Sequence, residues 1–328
     1  MLSYSFKEME KYTRPLCRAE LYEKKLDNFK KIVNSFVNRN EYCNGLPIQI
    51  HLEPSGACNL YCPMCPRGRE LIERDGFLSF DEYVAVFDPL SETLANVIMS
   101  GFGEPLLNNQ TTRMVAHTTK NCVSTYMNTN GTVLQESAAE LLDAQLSMIN
   151  VSMDGATSKS CHGYNETYPF QNVVAGVETL SALKNKGNYQ YPIIYGQFIL
   201  SDETVDEMDR LKTWALSLGV EHVRFKRKHP TMPGEMKREK IFTQYDYGKI
   251  LEKGKVKTSE NLNWSQSECS HPWDSVFLAC TGKIGMCSFD PHQILKLNAE
   301  PNDFARAWNS ELVRKVRRWH SGQDKKVK

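Results

Sequence analysis

No stretch of this 328-residue chain approaches the roughly 18 consecutive apolar residues that a membrane-spanning helix requires. The amino-terminal run MLSYSFKEMEK also lacks the apolar core of a signal peptide. Neither a membrane nor an export route is therefore expected, and the cytoplasm is the expected compartment. Charge of one sign is equally lacking. Forty Lys and Arg stand against 39 Asp and Glu, a net of +1, whereas a general nucleic-acid binder is markedly basic, so no nucleic-acid partner is expected. The local basic tracts Arg314-Lys315-Val316-Arg317-Arg318 and Lys325-Lys326-Val327-Lys328 read as a solvated helix face and a frayed tail. Cysteine is not scarce, at ten residues, but it lacks the even spread of a disulfide framework. Without an export signal, clustered cysteines favour metal binding.

The cluster is Cys58-Asn59-Leu60-Tyr61-Cys62-Pro63-Met64-Cys65, directly after the apolar run Ile48-Gln49-Ile50-His51-Leu52. A strand feeding a short, Pro-punctuated loop lets three thiolates turn toward one point. Soft thiolates select zinc or iron–sulfur clusters. Structural zinc wants a fourth Cys or His nearby, and the following residues offer none before the distant His162. Three ligands suit a [4Fe–4S] cluster with one iron left open.

From Ile48 onward, strand-like runs alternate with helix-length segments. The strands are expected at Ile48–Leu52, Val97–Ser100, Val123–Asn128, Ser147–Met153, Ile193–Leu200 and His222–Phe225. Helices are expected at Phe80–Leu90, Thr111–Lys120, Leu134–Ala144, Phe170–Lys184 and Val205–Leu218. Starts such as Ser79-Phe80-Asp81-Glu82 place acidic groups at the positive end of the helix dipole. This alternation implies a parallel α/β sheet with right-handed crossovers, and no Gly-rich dinucleotide fingerprint follows the first strand. A partial (β/α)6 TIM-like barrel fits the count. Before it, Leu16, Leu21, Leu26, Phe29, Ile32, Val33 and Phe36 approximate a helical stripe. The expected layout is an N-terminal helical segment over 1–45, a core over 46–230, and a linker with a small C-terminal extension over 231–328.

Function in parallel α/β folds gathers at the carboxyl ends of the strands, and the residues there form a set. Strand two ends in Ser100-Gly101-Phe102-Gly103-Glu104-Pro105, strand three in Asn128-Thr129-Asn130-Gly131, and strand four in Ser152-Met153-Asp154-Gly155. Together with the C-x3-C-x2-C spacing, these segments resemble the radical S-adenosylmethionine (SAM) enzymes. The resemblance implies the partial barrel and a [4Fe–4S] cluster on Cys58, Cys62 and Cys65. It also implies reductive cleavage of SAM to methionine and a 5′-deoxyadenosyl radical that abstracts a substrate hydrogen. Gly101, Gly103 and Glu104 would then contact the SAM amino group, with Asn128, Asn130, Ser152, Asp154 and Gln197 as further SAM contacts. Asn130-Gly131 also reads as a turn and Asp154 as a cap. Relatives place an arginine shortly after the S-x-D-G segment to pair with the SAM carboxylate. This chain has Lys159, His162 and Tyr164 there and no arginine before Arg210. An external electron donor such as flavodoxin or ferredoxin is an implied partner.

The run from Cys269 to Asp290 reads as a hairpin turning at Thr281-Gly282-Lys283. It resembles the SPASM or twitch extension, in which Cys269 and Cys287 would bind an auxiliary cluster and Cys280 would be a core residue. No cysteine follows Cys287, so a clusterless hairpin capping the barrel is an equal reading. The basic sixth strand alternates, with Arg224, Lys226 and Lys228 on one face and Phe225, Arg227 and His229 on the other. One face binds an anionic or polyhydroxylated substrate, or the strand is an edge protected by charge. A polar small molecule (sugar, aminocyclitol or nucleoside type) is the expected substrate, undergoing dehydrogenation, epimerisation or decarboxylation. Peptide-modifying relatives often carry a longer recognition domain than the segment before Ile48. Lys226, His229 and Glu104 are candidate proton carriers, and Cys161 or Cys280 a candidate hydrogen donor. The alternatives are modification of a peptide or protein, and a non-catalytic structural metal-binding protein.

Overall fold

The computed structural model describes residues 9–62, 65–68, 70, 72, 75–157, 168–200, 205–227, 269–288, 297 and 304–321. The six apolar runs are strands β1 (Gln49–Leu52), β2 (Asn96–Met99), β3 (Ser124–Thr129), β4 (Met148–Ser152), β5 (Ile193–Leu200) and β6 (His222–Arg227). Helix α1 (Ala19–Val37) precedes them. Between them run α2 (Phe80–Phe87), α3 (Thr111–Lys120), α4 (Leu134–Asp143), α5 (Phe170–Lys186) and α6 (Met208–Ser217). Every strand lies parallel to the next in the order β6-β5-β4-β3-β2-β1. This is the α/β pattern of a partial TIM-like barrel.

Side chains alternate between the two faces of each strand. Ile50, Leu52, Val97, Met99, Met127 and Val151 face outward and are buried in one core with helix residues such as Tyr83, Met114, Leu141 and Val177. Each such side chain contributes about 2 kcal/mol by leaving water. The inward positions are polar far more often, among them His51, Tyr126, Asn128, Asn150, Gln197 and Arg224. Arg224 on β6 reaches the hydroxyl of Tyr126 on β3, at 2.8 Å. Three strand spacings would separate them by about 14 Å on a flat sheet, so the inner face is concave.

The expected helix start at Ser79 is a full capping box. Ser79 Oγ accepts from Glu82 N, and Glu82 Oε2 accepts from Ser79 N at 2.9 Å. Such caps contribute about 1 kcal/mol. In α1 Phe29 and Ile32 of the expected stripe are buried, and its Leu26, Val33 and Phe36 pack partly buried on the same core. Tyr22 and Lys25 are buried as well, and Lys25 is accommodated because its Nζ donates to the carbonyls of Ser91 and Leu94, both at 2.6 Å. Burial pushes its ammonium down to about 8, partly offset by Cys17, Cys122 and Glu92. These bonds seat α1 against the segment that enters β2.

After β6 the described chain resumes with a short helical turn, α7 (His271–Asp274), then β7 (Ser275–Leu278) and β8 (Ile284–Gly285). The expected hairpin is there, with β8 antiparallel to β7. It also extends the main sheet, because β7 pairs parallel to β1 in the register Gln49 to Ser275 and Leu52 to Leu278. Helices α8 (Phe304–Trp308) and α9 (Glu311–His320) close the described chain.

One basic tract departs from its expected role. Arg318 pairs with Glu41 and Glu311, as a helix face would. Arg317, by contrast, is fully buried. It donates to the carbonyls of Pro272, Glu41 and Trp308 and to Asn309 Oδ1, at 2.8 to 3.0 Å, with its guanidinium over the Trp308 ring. A run of charges gives no hint that one member serves as an internal pin. Among the described residues no helix is long and apolar enough to cross a membrane.

Candidate active site

The segment leading from β1 to the cysteines is Glu53-Pro54-Ser55-Gly56-Ala57, and the loop after β2 lies directly on it. Glu104 N donates to Ala57 O at 2.8 Å. A Cβ at position 103 would overlap the Ser55 carbonyl and stand 2.7 Å from Ala57 O, so only glycine permits this backbone contact. At Gly101 the same added atom would stand 2.6 Å from Glu53 Oε1. Glu53 itself is buried; its Oε1 accepts from Phe102 N at 2.9 Å and its Oε2 from Cys280 N at 3.4 Å. It ties the cysteine-bearing strand to the β2 loop and to the hairpin at once. Sequence reasoning missed Glu53, since its partner Cys280 is distant in the chain. The only signal was an acidic residue at the end of an apolar strand.

Glu104 is 2% exposed. Its Oε1 accepts from Thr129 Oγ1 at 2.7 Å and Leu106 N at 3.0 Å, and its Oε2 from Asn130 N at 2.6 Å. Burial pushes the carboxyl up, and the three donors offset this. Asn130 continues the chain of contacts, with Nδ2 3.0 Å from Asn59 Oδ1 and 3.8 Å from Cys58 Sγ. Its Oδ1 accepts from Thr132 N and Oγ1, so the turn reading and the site reading of Asn130 both hold geometrically. Arg67 donates to the carbonyls of Gly56 and Cys58, at 2.7 and 3.2 Å. The sequence-expected Gly101, Gly103, Glu104, Asn130 and Cys58 are thus brought together.

Cys58, Cys62 and Cys65 are partly exposed and form no disulfide among the described residues, and Cys65 N donates to Cys62 O at 3.0 Å. Burial pushes the Cys58 thiol up, with Glu104 and Cys65 adding to this and the Leu60 N–H and Arg67 offsetting it. Among the described residues no three His, Cys, Asp or Glu side chains are gathered as a single metal ion needs. A tetrahedral zinc would hold its sulfurs about 3.8 Å apart, from Zn–S bonds of about 2.3 Å. A four-iron cluster spaces its thiolates more widely. The donor set, three soft sulfurs on one loop with a glycine-made cradle behind it, fits such a cluster.

On the far side of the lumen, Asn150 Nδ2 donates to Asn128 Oδ1 at 2.9 Å and to Gln197 Oε1 at 3.2 Å. Tyr126 OH donates to Asn128 Oδ1 at 3.1 Å. The expected Asn128 and Gln197 therefore stand in one row, joined through Asn150, which the sequence analysis passed over. A polar residue inside the apolar run Met148–Ser152 was the available signal. Asn150 is 0% exposed, and its Oδ1 has no hydrogen-bond partner. Asp154 has φ +53°, and its buried Oδ1 also lacks a partner. Burial pushes its carboxyl up to about 7. The carbonyl of Ser152 accepts from Tyr168 OH at 2.7 Å.

Lys226 stands on the inner wall of β6 beside Arg224. Cys161 and His229, with Lys228, lie outside the described residues. Cys280 is buried, as a core residue would be. Cys269 and Cys287 are partly exposed and close enough to sense one another. Burial pushes the Cys269 thiol up to about 11, and Asp274 and Cys287 add to the rise.

Residues 52–215 match the sequence family described as the radical SAM superfamily. The chain belongs to that superfamily. Radical SAM enzymes use a [4Fe–4S] cluster and SAM. A tungsten-containing aldehyde ferredoxin oxidoreductase cofactor-modifying protein of Pyrococcus furiosus is 24% identical over 196 residues, covering 57% of this chain and 53% of that protein. A GTP 3′,8-cyclase of Psychromonas ingrahamii is 27% identical over 160 residues, covering 48% of this chain and 45% of that protein. The radical SAM chain thus matches about half the length of these curated relatives. Among solved structures, Streptococcus suis SuiB bound to SAM superposes with a TM-score of 0.65 at 14% identity, covering 90% of this chain and 73% of SuiB. That likeness concerns the fold.

Proposed function

We propose that this radical SAM enzyme holds its cluster on Cys58, Cys62 and Cys65. It binds SAM across the strand ends and abstracts a hydrogen atom from a polar small molecule in the barrel lumen. The observation that carries this is the seating of the Gly101–Pro105 loop on residues 55–57, immediately before Cys58. When bound and reduced, such a cluster supplies the electron that splits SAM into methionine and a 5′-deoxyadenosyl radical. The chain's own contribution is placement. Glu53, Glu104 and Arg67 fix the cysteine loop before any ligand arrives, which is the preorganisation that proximity effects demand. Asn130 is held beside Cys58, where its amide would meet the methionine end of SAM. Asp154, Ser152 and Gln197 would contact the rest of the SAM molecule. The polar inner faces of β3 to β6 support a hydrophilic substrate. An external one-electron donor completes the scheme.

A peptide substrate is the competing reading, and one experiment separates them. The reconstituted protein is incubated with SAM, dithionite, and either the low-mass or the peptide fraction of a uniformly deuterated cell extract. Deuterium carried into 5′-deoxyadenosine from the low-mass fraction alone is the expected result. Deuterium from the peptide fraction alone would replace the small-molecule reading. No 5′-deoxyadenosine above that of a Cys58→Ala/Cys62→Ala/Cys65→Ala variant would overturn SAM cleavage itself.

A further inference from the structure

Gln49 and His51 occupy the inner face of β1, since Ile50 and Leu52, both 0% exposed, point outward into the core. The register sets His51 level with Ile98 of β2 and Tyr126 of β3, the tyrosine that Arg224 reaches across the lumen. Glu53, which ties down the loop before the cysteines, follows two residues later, about 7 Å along the strand. His51 is partly exposed, so its ring borders open space rather than lying sealed in the core.

Its neighbours fix which ring nitrogen carries the proton. β7 lies beside β1 with Ser275 opposite Gln49. Ser275 Oγ donates its single proton to Asp274 Oδ1 at 2.5 Å, and both residues are buried. Toward Gln49 the hydroxyl can then only accept, and it does so from Gln49 Nε2 at 3.3 Å. The other proton of that NH2 goes to His51 Nε2, at 2.5 Å. A ring nitrogen that accepts is unprotonated, so the neutral imidazole carries its proton on Nδ1. Burial, and then repulsion from His271, whose ring stands 5.1 Å away, push the His51 imidazolium down to about 3. The ring is therefore neutral at physiological pH. Nδ1 has no hydrogen-bond partner among the described residues.

We propose that His51 is a substrate-binding residue whose Nδ1–H donates to a hydroxyl or carbonyl oxygen of the molecule in the lumen. Asp274, through Ser275 and Gln49, holds the ring in the donating tautomer. This rests on the small-molecule reading above and adds a named contact to it. A neutral imidazole suits an uncharged oxygen, because it donates without bringing a charge into a half-dry lumen. Ser275 and Asp274 act only through Gln49 and are positioning residues. The C-terminal segment thus serves the lumen from beside β1, whatever its cysteines hold.

The test compares variants of the cluster-loaded, SAM-saturated protein for deuterium transfer into 5′-deoxyadenosine from the low-mass fraction of the deuterated extract. Each rate is divided by the substrate-free 5′-deoxyadenosine formation of the same preparation, which corrects for folding and cluster loading. His51→Phe keeps a ring and loses the donor, whereas His51→Asn places an amide nitrogen where Nδ1 stood. Transfer is expected to fall about tenfold in His51→Phe, the size of one hydrogen bond, and to recover at least in part in His51→Asn. Ser275→Ala is the independent variant, read by nitrogen-15 spectra of the histidine-labelled protein. Wild type should show a neutral His51 ring protonated on Nδ1, a signal identified by its loss in His51→Asn. In Ser275→Ala that signal should divide between the two tautomers. Equal transfer in His51→Phe and His51→Asn, or a wild-type ring protonated on Nε2, overturns the proposal. Wild-type protein that draws deuterium from the peptide fraction alone overturns the small-molecule reading instead, and the same variants run with that fraction then test His51.

Discussion

The two halves of the lumen rim are built on opposite principles. At the carboxyl ends of β1 to β3 the buried carboxylates of Glu53 and Glu104 and the amide of Asn130 are paired within the protein. Glu104 accepts three bonds, Glu53 joins two loops, and Asn130 and Thr132 tie the β3 end to Asn59. Around β4 to β6, Asn150 Oδ1 and Asp154 Oδ1 are buried without partners, and Arg224 and Lys226 crowd their charges together. A satisfied polar network rigidifies, whereas a half-satisfied one costs stability until something completes it. The first half is a finished scaffold for the cysteine loop. The second is left incomplete, as a surface that binds a ligand tends to be.

Mutations should therefore have opposite signs on the two sides. The largest loss is expected at Gly103→Ala, where the new Cβ meets backbone rather than a movable side chain. Thermal denaturation of the apoprotein should show about 3 kcal/mol of destabilisation, and iron uptake on reconstitution should fall with it. An apoprotein as stable as wild type would break the scaffold half of the comparison.

Glu104→Gln follows, at about 2 kcal/mol. The amide can accept from some of the three donors, but its NH2 faces Asn130 N or Thr129 and Leu106, leaving a buried donor unmatched. A neutral outcome in urea unfolding would mean that the bracket holds nothing together.

On the other side, Asp154→Asn should stabilise. A carboxyl whose folded pKa is raised, here from 3.8 to about 7, binds its proton more tightly in the native state. Its penalty to stability thus grows as pH rises through that window and is complete above it. Asparagine removes the penalty and tolerates the positive φ. The apoprotein variant should gain of order 2 kcal/mol at pH 8, with a smaller gain at pH 5. An equal gain at both pH values would show that the carboxyl does not titrate there. The smallest effect is expected at Lys226→Met, where relief of the repulsion by Arg224 should raise unliganded stability by about 0.5 kcal/mol. A clear loss in the same denaturation assay would place Lys226 among the structural residues.

Legibility in the sequence follows the same divide. The cysteine spacing, the Gly-Phe-Gly-Glu-Pro loop and the strand–helix alternation are local patterns, and β5 and α3 fall on the residues expected from period and caps alone. Glu104 was legible as a site residue, but its three-donor bracket was not, because Thr129 and Asn130 join it only once β2 and β3 pair. The roles of Glu53, Asn150 and Arg317 were not legible for a related reason. Each takes its role from partners brought up by tertiary packing: the hairpin for Glu53, the curl of the sheet for Asn150, and the Trp308 turn for Arg317. The hairpin was readable from its turn, but its parallel seat beside β1 was not, since nothing in four residues of β7 specifies which sheet edge it joins.

The central claim, an open-iron cluster on the β1 loop, is tested most directly by electron paramagnetic resonance. The anaerobically reconstituted, dithionite-reduced protein is compared with and without SAM, beside the Cys58→Ala/Cys62→Ala/Cys65→Ala variant. The account predicts a [4Fe–4S]+ signal that changes when SAM is added and is lost in the variant; a signal left in the variant would reveal a second cluster, for which Cys269 and Cys287 are the candidate ligands. A reconstituted protein that takes up zinc but no iron, or whose signal ignores SAM, would contradict it.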